Sequence, residues 1–568
     1  MSSAATAENA PPAGTGPEER NAFVRTTTAV ASWISIFVVV ASAALVLTFD
    51  HGRDQSIYSL VAREILDGRM PYRDAFDFKP PGIFLVYAFA RALFGPAMVG
   101  IRILEVGAML GSAWGLVRLS EIFFGRRNVG LYAAALASQV HAQLDFWHTA
   151  QPETFGGTMT IWGLVLSARA LDTTERRRAL GLWIGAGALF GASGLMKPPL
   201  AGAGAVIVFL VVARELVSKR SWSRSDALRT WVPTLGMVVG GALPFAIVLS
   251  WFAAKGALHD LHEVLFVFTP EYTKISWEKQ SVAPMAYYGF VEWLTSYSSA
   301  LLAGMVCLLA FRPTRRELPA VIAVLGCIFI HIAGIVMQGK FFPYHWGATF
   351  PLTALIAALG LDKALTFSAR RGPIAVGAFA VLFSIAAYTK CSAPNFGEGS
   401  FGHRTKERLE LLLSPPPDPV TAWDDLACIA DVDAVQNRAV AKYVNEHTKP
   451  TDPLFVWGFE CAIYDMADRP LATRYIYNVP QRAIWSAKPM QDALMIELQK
   501  TPPVSIVVEH HDVFPMVTGS ADDSAVSLSK FPALRDMIDD HYEFAENIGD
   551  FDVYMRRAEE PYQVGLGD

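Results

Sequence analysis

A succession of apolar stretches, each about twenty residues long and separated by short polar turns, confines this chain to one class of structure. In lipid every backbone N–H and C=O must be satisfied internally, and stretches of this length achieve that as helices. A window of about 19 residues places spans at 29–49, 98–120, 129–146, 153–171, 179–196, 198–214, 230–253, 289–311, 317–337, 344–362 and 372–390, eleven crossings in all. The composition agrees. Only 18% of the 568 residues are charged and the mean hydropathy is +0.30, whereas a soluble chain carries about a quarter charged residues. The net charge of -5 gives no footing for nucleic acid.

Residues 1–28 read as a disordered cytoplasmic N-terminus running into a signal anchor rather than a cleaved leader. Orientation follows from the basic residues, which concentrate in cytoplasmic loops. With eleven spans, one set of loops holds Arg126-Arg127, Arg176-Arg177-Arg178, Lys219-Arg220 with Arg224 and Arg229, Arg312 with Arg315-Arg316, and Arg370-Arg371. The opposite loops after the first carry scattered lysines: Lys197, Lys255, Lys274, Lys279 and Lys340. The N-terminus is therefore expected inside and everything after Tyr388 outside. The stretch 80–95 is apolar but short, begins with Pro-Pro and carries Arg91, which predicts a half-buried helix at the surface rather than a span.

The fold class expected is a mainly α, polytopic membrane protein with a C-terminal extracytoplasmic α/β domain. Residues 29–390 form the membrane part, 391–430 a linker containing Ser414-Pro-Pro-Pro-Asp-Pro419, and 431–560 the outer domain. In that domain a helix over 432–446 precedes a strand at 454–457. Helices near Cys461 and Met490 alternate with a strand at 504–508, and a helix at 533–540 leads into 551–555. The five cysteines, Cys307, Cys327, Cys391, Cys428 and Cys461, lack metal-site spacing. One disulfide among the last three and free thiols are both open.

The first outer loop, 50–97, is too long for a simple connection. Its middle, 57–66, gathers Ile57, Leu60, Val61, Ile65 and Leu66 on one helical face, which predicts a helix lying along the interface. Asp54 is either an N-cap of that helix or, facing the bundle interior, a functional group. Lys79 before Pro80-Pro81 reads alone as a snorkelling lysine. Other outer turns add His148, Gln151 and Glu153, then Lys197 before Pro198-Pro199, then Lys340, Tyr344 and His345. Glu153 at a helix start also suits the helix dipole. Several cations and two carboxylates on one face suggest a site for an anionic lipid head group.

The order of these residues resembles the GT-C glycosyltransferases. The resemblance rests on Asp54, Tyr58, Ala62-Arg63, Leu66, Gly68, Pro71-Tyr72-Arg73-Asp74, Phe76-Asp77, Lys79-Pro80-Pro81-Gly82, Leu93-Phe94-Gly95 and Arg102. Glu153 opening a span, Lys197-Pro198 ending one, and Tyr344 followed by Pro351 extend it over about 30–365. The nearest branch is that of the protein O-mannosyltransferases and aminoarabinose transferases, which use polyprenyl-phosphate sugars. The sequence departs from the branch at Asp54-Gln55, where an acidic pair is often found. A second carboxylate must then come from Asp50, Asp77 or Glu153, and a divalent metal stays open as a cofactor.

The resemblance implies inverting transfer of a sugar from a polyprenyl-phosphate donor to an acceptor hydroxyl of a lipid, polysaccharide or protein at the outer face. Asp54 is then the general base, with Glu153 as a second catalytic carboxylate that orients the acceptor or holds a metal. Lys79, Lys197, Lys340, His345 and Tyr344 are candidates for the donor phosphate, and Tyr58, Asp77, His148 and Gln151 for sugar or acceptor contacts. Trp457-Gly458-Phe459-Glu460 and Tyr475-Ile476-Tyr477 in the outer domain are either an acceptor groove or core. A carrier or flippase for lipid-linked sugars is the alternative from a different class. It would favour repeats and broken helices at mid-membrane, whereas here the polar residues gather at one face and no repeat is detected.

Overall fold

The computed structural model describes residues 17–218, 224–277, 281–295, 299–391, 401–428 and 432–557; Lys219, Arg220 and Lys279 lie outside them. The first helix, α1 (Pro17–Val46), opens with proline followed by Glu18 and Glu19, a start that suits the helix dipole. It therefore begins inside the segment 1–28 that was expected to be disordered. After it come α2 (Arg53–Leu66), α3 (Pro81–Phe94), α4 (Val99–Phe124), α5 (Arg127–Gln143), α6 (Pro152–Asp172), α7 (Arg176–Met196) and α8 (Gly202–Ser218). The bundle continues with α9 (Arg224–Ala254), α10 (Leu258–His262), α11 (Thr269–Trp277), α12 (Val282–Thr295), α13 (Ser299–Ala310), α14 (Leu318–Gln338), α15 (Phe350–Arg371) and α16 (Pro373–Cys391).

Seven helices among the described residues are long and apolar enough to cross a membrane: α1, α4, α7, α8 with the turn before it, α9, α14 and α15. Helices also occupy the other four expected spans, although α5 has 17 residues and α6 carries Glu153 and three threonines. The span expected at 289–311 includes 296–298, outside the described residues. The fourteen residues of α3 extend about 21 Å, less than the hydrocarbon thickness, in keeping with a non-spanning helix.

Small residues set the contact between α7 and α9. A Cβ on Gly191 of α7 would stand 2.2 Å from the Gly241 carbonyl oxygen of α9, so these backbones meet as in other membrane helix pairs. At the end of the bundle away from α2, Arg126 pairs with Asp362 at 2.9 Å and Glu317 at 3.2 Å, and Lys363 joins Glu317 at 2.8 Å.

Two helices occupy the segment 391–430 that was expected to be a linker: α17 (Phe401–Leu413) and α18 (Pro419–Leu426). They are ordered because Arg404 and Arg408 of α17 are buried against Asp145, at 2.8 and 2.6 Å. Beyond them α19 (Ala434–His447) leads into a four-stranded sheet of order β1-β2-β4-β3: β1 (Leu454–Trp457), β2 (Ser505–Glu509), β3 (Tyr542–Ile548) and β4 (Phe551–Arg556). β1 and β2 are parallel, with Trp457 opposite Val508, and both are buried throughout, as strands covered on both faces are. Their crossover contains α20 (Ala462–Ala467), α21 (Val479–Arg482) and α22 (Ala487–Lys500). β3 pairs with β4 as a hairpin at the sheet edge, with most of its side chains exposed or half-buried.

Trp457, Tyr475 and Tyr477 are fully buried core residues, which removes the acceptor-groove reading for them. Cys307, Cys327, Cys428 and Cys461 are free thiols.

Candidate active site

Two similar turns build the site. Lys79 and Lys197 each precede a Pro-Pro pair that opens a helical turn, and the residue before proline is held extended; Lys197 has φ -157° and ψ 119°. The turns come together because α3 begins with Gly82 against the end of α7. A Cβ on Gly82 would lie 2.6 Å from the Leu195 carbonyl oxygen, so only glycine permits this approach.

Lys79 is fixed through its own backbone. Tyr72, itself in the left-handed region at φ 71°, donates its hydroxyl to the Lys79 carbonyl at 2.9 Å, and the Lys79 N–H donates to Asp77 at 3.3 Å. The ammonium then reaches Asp54 Oδ2 at 3.5 Å and the Tyr344 hydroxyl at 3.2 Å. Burial works against its charge, but Asp54, Tyr58 and Asp77 outweigh that and hold the pKa of Lys79 well above its ordinary value. It is a lysinium at any physiological pH.

Asp54 lies in the first turn of α2, whose N-cap is Gly52; the cap reading of Asp54 is thereby removed. Its carboxylate accepts from Gln151 Nε2 at 3.3 Å, and Gln151 in turn accepts the Tyr58 hydroxyl at 3.0 Å. The Asp54 side chain keeps 26% of its surface exposed. The α2 helix lacks the wet face expected of it. It is buried on most sides between α3 and α20, because Ser59 and Arg63 on its polar face bond to Asp465 and to the Tyr464 carbonyl.

Gln55 explains the departure from an acidic pair. Its amide is fully buried and donates to the carbonyls of Phe146, Trp147 and Thr149 at 3.0, 3.1 and 2.6 Å. A carboxylate at 55 would face three carbonyl oxygens.

Glu153, next after Pro152 at the start of α6, bonds Lys197 Nζ at 2.5 Å through Oε1. Its Oε2 is buried and has no hydrogen-bond partner among the described residues. Burial draws the pKa of Lys197 down, with Glu153 opposing. The Tyr344 ring lies between the two lysines, with Lys79 Nζ 5.2 Å and Lys197 Nζ 6.0 Å from its centroid. Lys340 donates to the Met516 carbonyl at 2.6 Å and sits over the Tyr272 ring at 4.1 Å; burial pulls it down to about 8.

His345 is brought to the same place, but burial and the neighbouring Lys197 and Lys79 hold its pKa well below the usual imidazole range. His148 packs 5.9 Å from the Tyr344 ring and burial lowers it to about 3. Tyr58, Asp77 and Gln151 are buried and engaged in bracing: Asp77 accepts the Tyr477 hydroxyl at 2.7 Å.

Lys79, Glu153, Lys197, Lys340, Tyr344 and His345 form the polar end of a cavity of about 480 Å³ whose walls are otherwise apolar. Phe245, Leu249, Phe266 and Met337 line it and are also exposed on the flank of the bundle. The cavity therefore opens sideways through an apolar wall.

A divalent cation does not fit these groups. No cluster of three His, Cys, Asp or Glu occurs among the described residues, Lys79 faces Asp54, and Lys197 occupies Glu153. The positive ends of two lysines stand where a cation would be placed.

Sequence reasoning missed Arg53, its pairing with Glu460 and the Tyr477–Asp77 bond. Arg53 donates to Glu460 at 2.6 Å. An arginine directly before Asp54 was the signal available, but its partner lies 407 positions away.

The long apolar helices and the small C-terminal sheet define a polytopic helical membrane protein. Residues 78–251 match the family described as dolichyl-phosphate-mannose-protein mannosyltransferase. The fold is similar to that of ArnT from Cupriavidus metallidurans bound to undecaprenyl phosphate, with a TM-score of 0.58, 13% identity, and coverage of 96% of this chain and 99% of that one. The apo form of that ArnT gives a TM-score of 0.57 at 14% identity, covering 93% and 98%. No curated protein matches the chain.

Proposed function

We propose that this protein is a glycosyltransferase that moves a sugar, with inversion, from a polyprenyl-phosphate donor to an acceptor hydroxyl, using Asp54 as general base at the extracytoplasmic membrane face. The observation that carries the reading is the cavity: an apolar-walled space, open along the flank of the bundle, ends at Lys79, Lys197 and Lys340. A polyprenyl chain suits the walls, and the phosphate joining chain to sugar, a monoester once the sugar has left, suits the lysines. The distribution of arginines supports a cytoplasmic N-terminus and an outer C-terminal domain.

The steps follow from this chain's residues. The acceptor oxygen attacks the anomeric carbon from the face opposite the phosphate, and Asp54 takes its proton. The bond from the anomeric carbon to the phosphate oxygen breaks, and the phosphate leaves with the bonding electrons. Lys79, already charged, stabilises that growing negative charge, and Lys197 and Lys340 add to it from fixed positions. The Oε2 of Glu153, buried beside the cavity and otherwise unbonded, accepts a sugar hydroxyl. The apolar walls keep water from competing with the acceptor.

The test is reconstitution of the full chain in liposomes with a panel of polyprenyl-phosphate sugars, followed by mass spectrometry of the lipid. Release of the unglycosylated polyprenyl phosphate together with a glycosylated acceptor is expected. Movement of intact donor between leaflets without bond cleavage would replace the enzyme reading with the carrier.

A further inference from the structure

The Asp54 carboxylate meets Gln151 and Lys79 at 3.3 and 3.5 Å, and the Lys79 ammonium meets Tyr344 at 3.2 Å. The residues beside them are held tightly, and the grip comes from the C-terminal domain. Arg53, immediately before Asp54, donates through Nε and Nη2 to Glu460 Oε1 at 2.8 and 2.6 Å. Its guanidinium packs on the rings of Phe514 at 4.5 Å and Phe459 at 4.9 Å, and the other Glu460 oxygen accepts the Asn437 amide at 2.8 Å. Two residues before Lys79, Asp77 accepts the Tyr477 hydroxyl with one oxygen and the Lys79 N–H with the other, at 2.7 and 3.3 Å. The Phe76 N–H donates to the Arg474 carbonyl at 2.8 Å.

We infer that the C-terminal domain is a positioning part of the active site. Glu460 sets the first turn of α2, and so Asp54, through Arg53; Tyr477 sets the Lys79 turn through Asp77. This rests on the reading of Asp54 as base and Lys79 as phosphate ligand. The two links act on different quantities. A displaced base slows the chemical step, since misplacement by about 1 Å costs up to about 100-fold. A displaced lysine weakens the donor phosphate contact. Bonds that merely joined two domains would lower the amount of folded protein and leave the constants of what remained unchanged.

The experiment compares full-length wild type with Glu460→Gln, Glu460→Asp, Tyr477→Phe, Asp54→Asn and the surface control Lys488→Ala, each assayed per mole of folded protein in detergent. Glu460→Gln is expected to lower kcat about 10-fold or more with donor KM nearly unchanged, and Glu460→Asp to recover part of that loss. Tyr477→Phe is expected to raise donor KM more than it lowers kcat, and Lys488→Ala to match wild type. Where Glu460→Gln does not accumulate, Tyr477→Phe, which removes one hydroxyl, decides. An inactive Asp54→Asn beside Glu460→Gln and Tyr477→Phe with wild-type kcat and KM would overturn the positioning role alone. An active Asp54→Asn would overturn the base assignment, and with it the Glu460 link.

Discussion

The Lys79 ammonium stands 3.5 Å from the Asp54 carboxylate, at the boundary between a half-exposed acid and the polar end of an apolar cavity. The pair joins the two halves of the proposed chemistry, proton acceptance on one side and charge stabilisation on the other. Lys79→Ala removes a preorganised cation. It should lower kcat/KM for the polyprenyl-phosphate donor by about 100-fold, read from initial rates at varied donor. A loss of less than 3-fold on the scale of about 1.4 kcal/mol per tenfold would return Lys79 to the role of an interfacial anchor.

Gln55 is matched to three carbonyls. Replacing it with glutamate places an acid against their oxygens, and Gln55→Glu should lower stability by about 3 kcal/mol. Thermal unfolding in detergent checks this, and a wild-type Tm would show that the 146–149 loop can turn its carbonyls away.

Lys340, drawn down by burial to about 8, loses its proton as pH rises through that value, so its contribution to donor binding is present below pH 8 and fades above it. Donor KM should rise between pH 7 and 9 in wild type. In Lys340→Arg, which stays charged, that rise should disappear.

Burial, with Glu460 adding to it, raises the pKa of Glu509 well above 4.5. An acid whose folded pKa is raised contributes stability below its unfolded pKa and loses it as pH climbs toward the folded value. Glu509→Gln has no such loss, so its Tm relative to wild type should improve as pH goes from 5 to 8. A difference independent of pH would show that Glu509 ionises in the fold as it does in the unfolded chain.

Much of the site was legible because it is made of local signals. The Lys-Pro-Pro turns, Pro152-Glu153 at a helix start and Tyr344 in its proline turn announce themselves within a few residues. The α/β strands at 454–457 and 504–508 were likewise evident from continuous apolar runs. The hairpin strand Tyr542–Ile548 was not, because at a sheet edge its apolar residues are few. The 57–66 stretch reads as a helix with one wet face only while Asp465 is unknown; once Ser59 and Arg63 have that partner, the polar face is buried too. Pairs such as Arg53–Glu460 and Tyr477–Asp77 join positions about 400 apart, and no periodicity connects them. The shift of His345 depends on burial and on Lys197 and Lys79 beside it, which a sequence does not display.

The central claim is that the Asp54 carboxylate accepts the acceptor proton. The most direct measurement is single-turnover transfer by Asp54→Asn at saturating donor and acceptor, with donor binding followed in parallel. The account predicts that bound polyprenyl-phosphate sugar persists unconsumed, with the rate down by at least about 100-fold and donor affinity near wild type. Transfer at a rate close to wild type would contradict it.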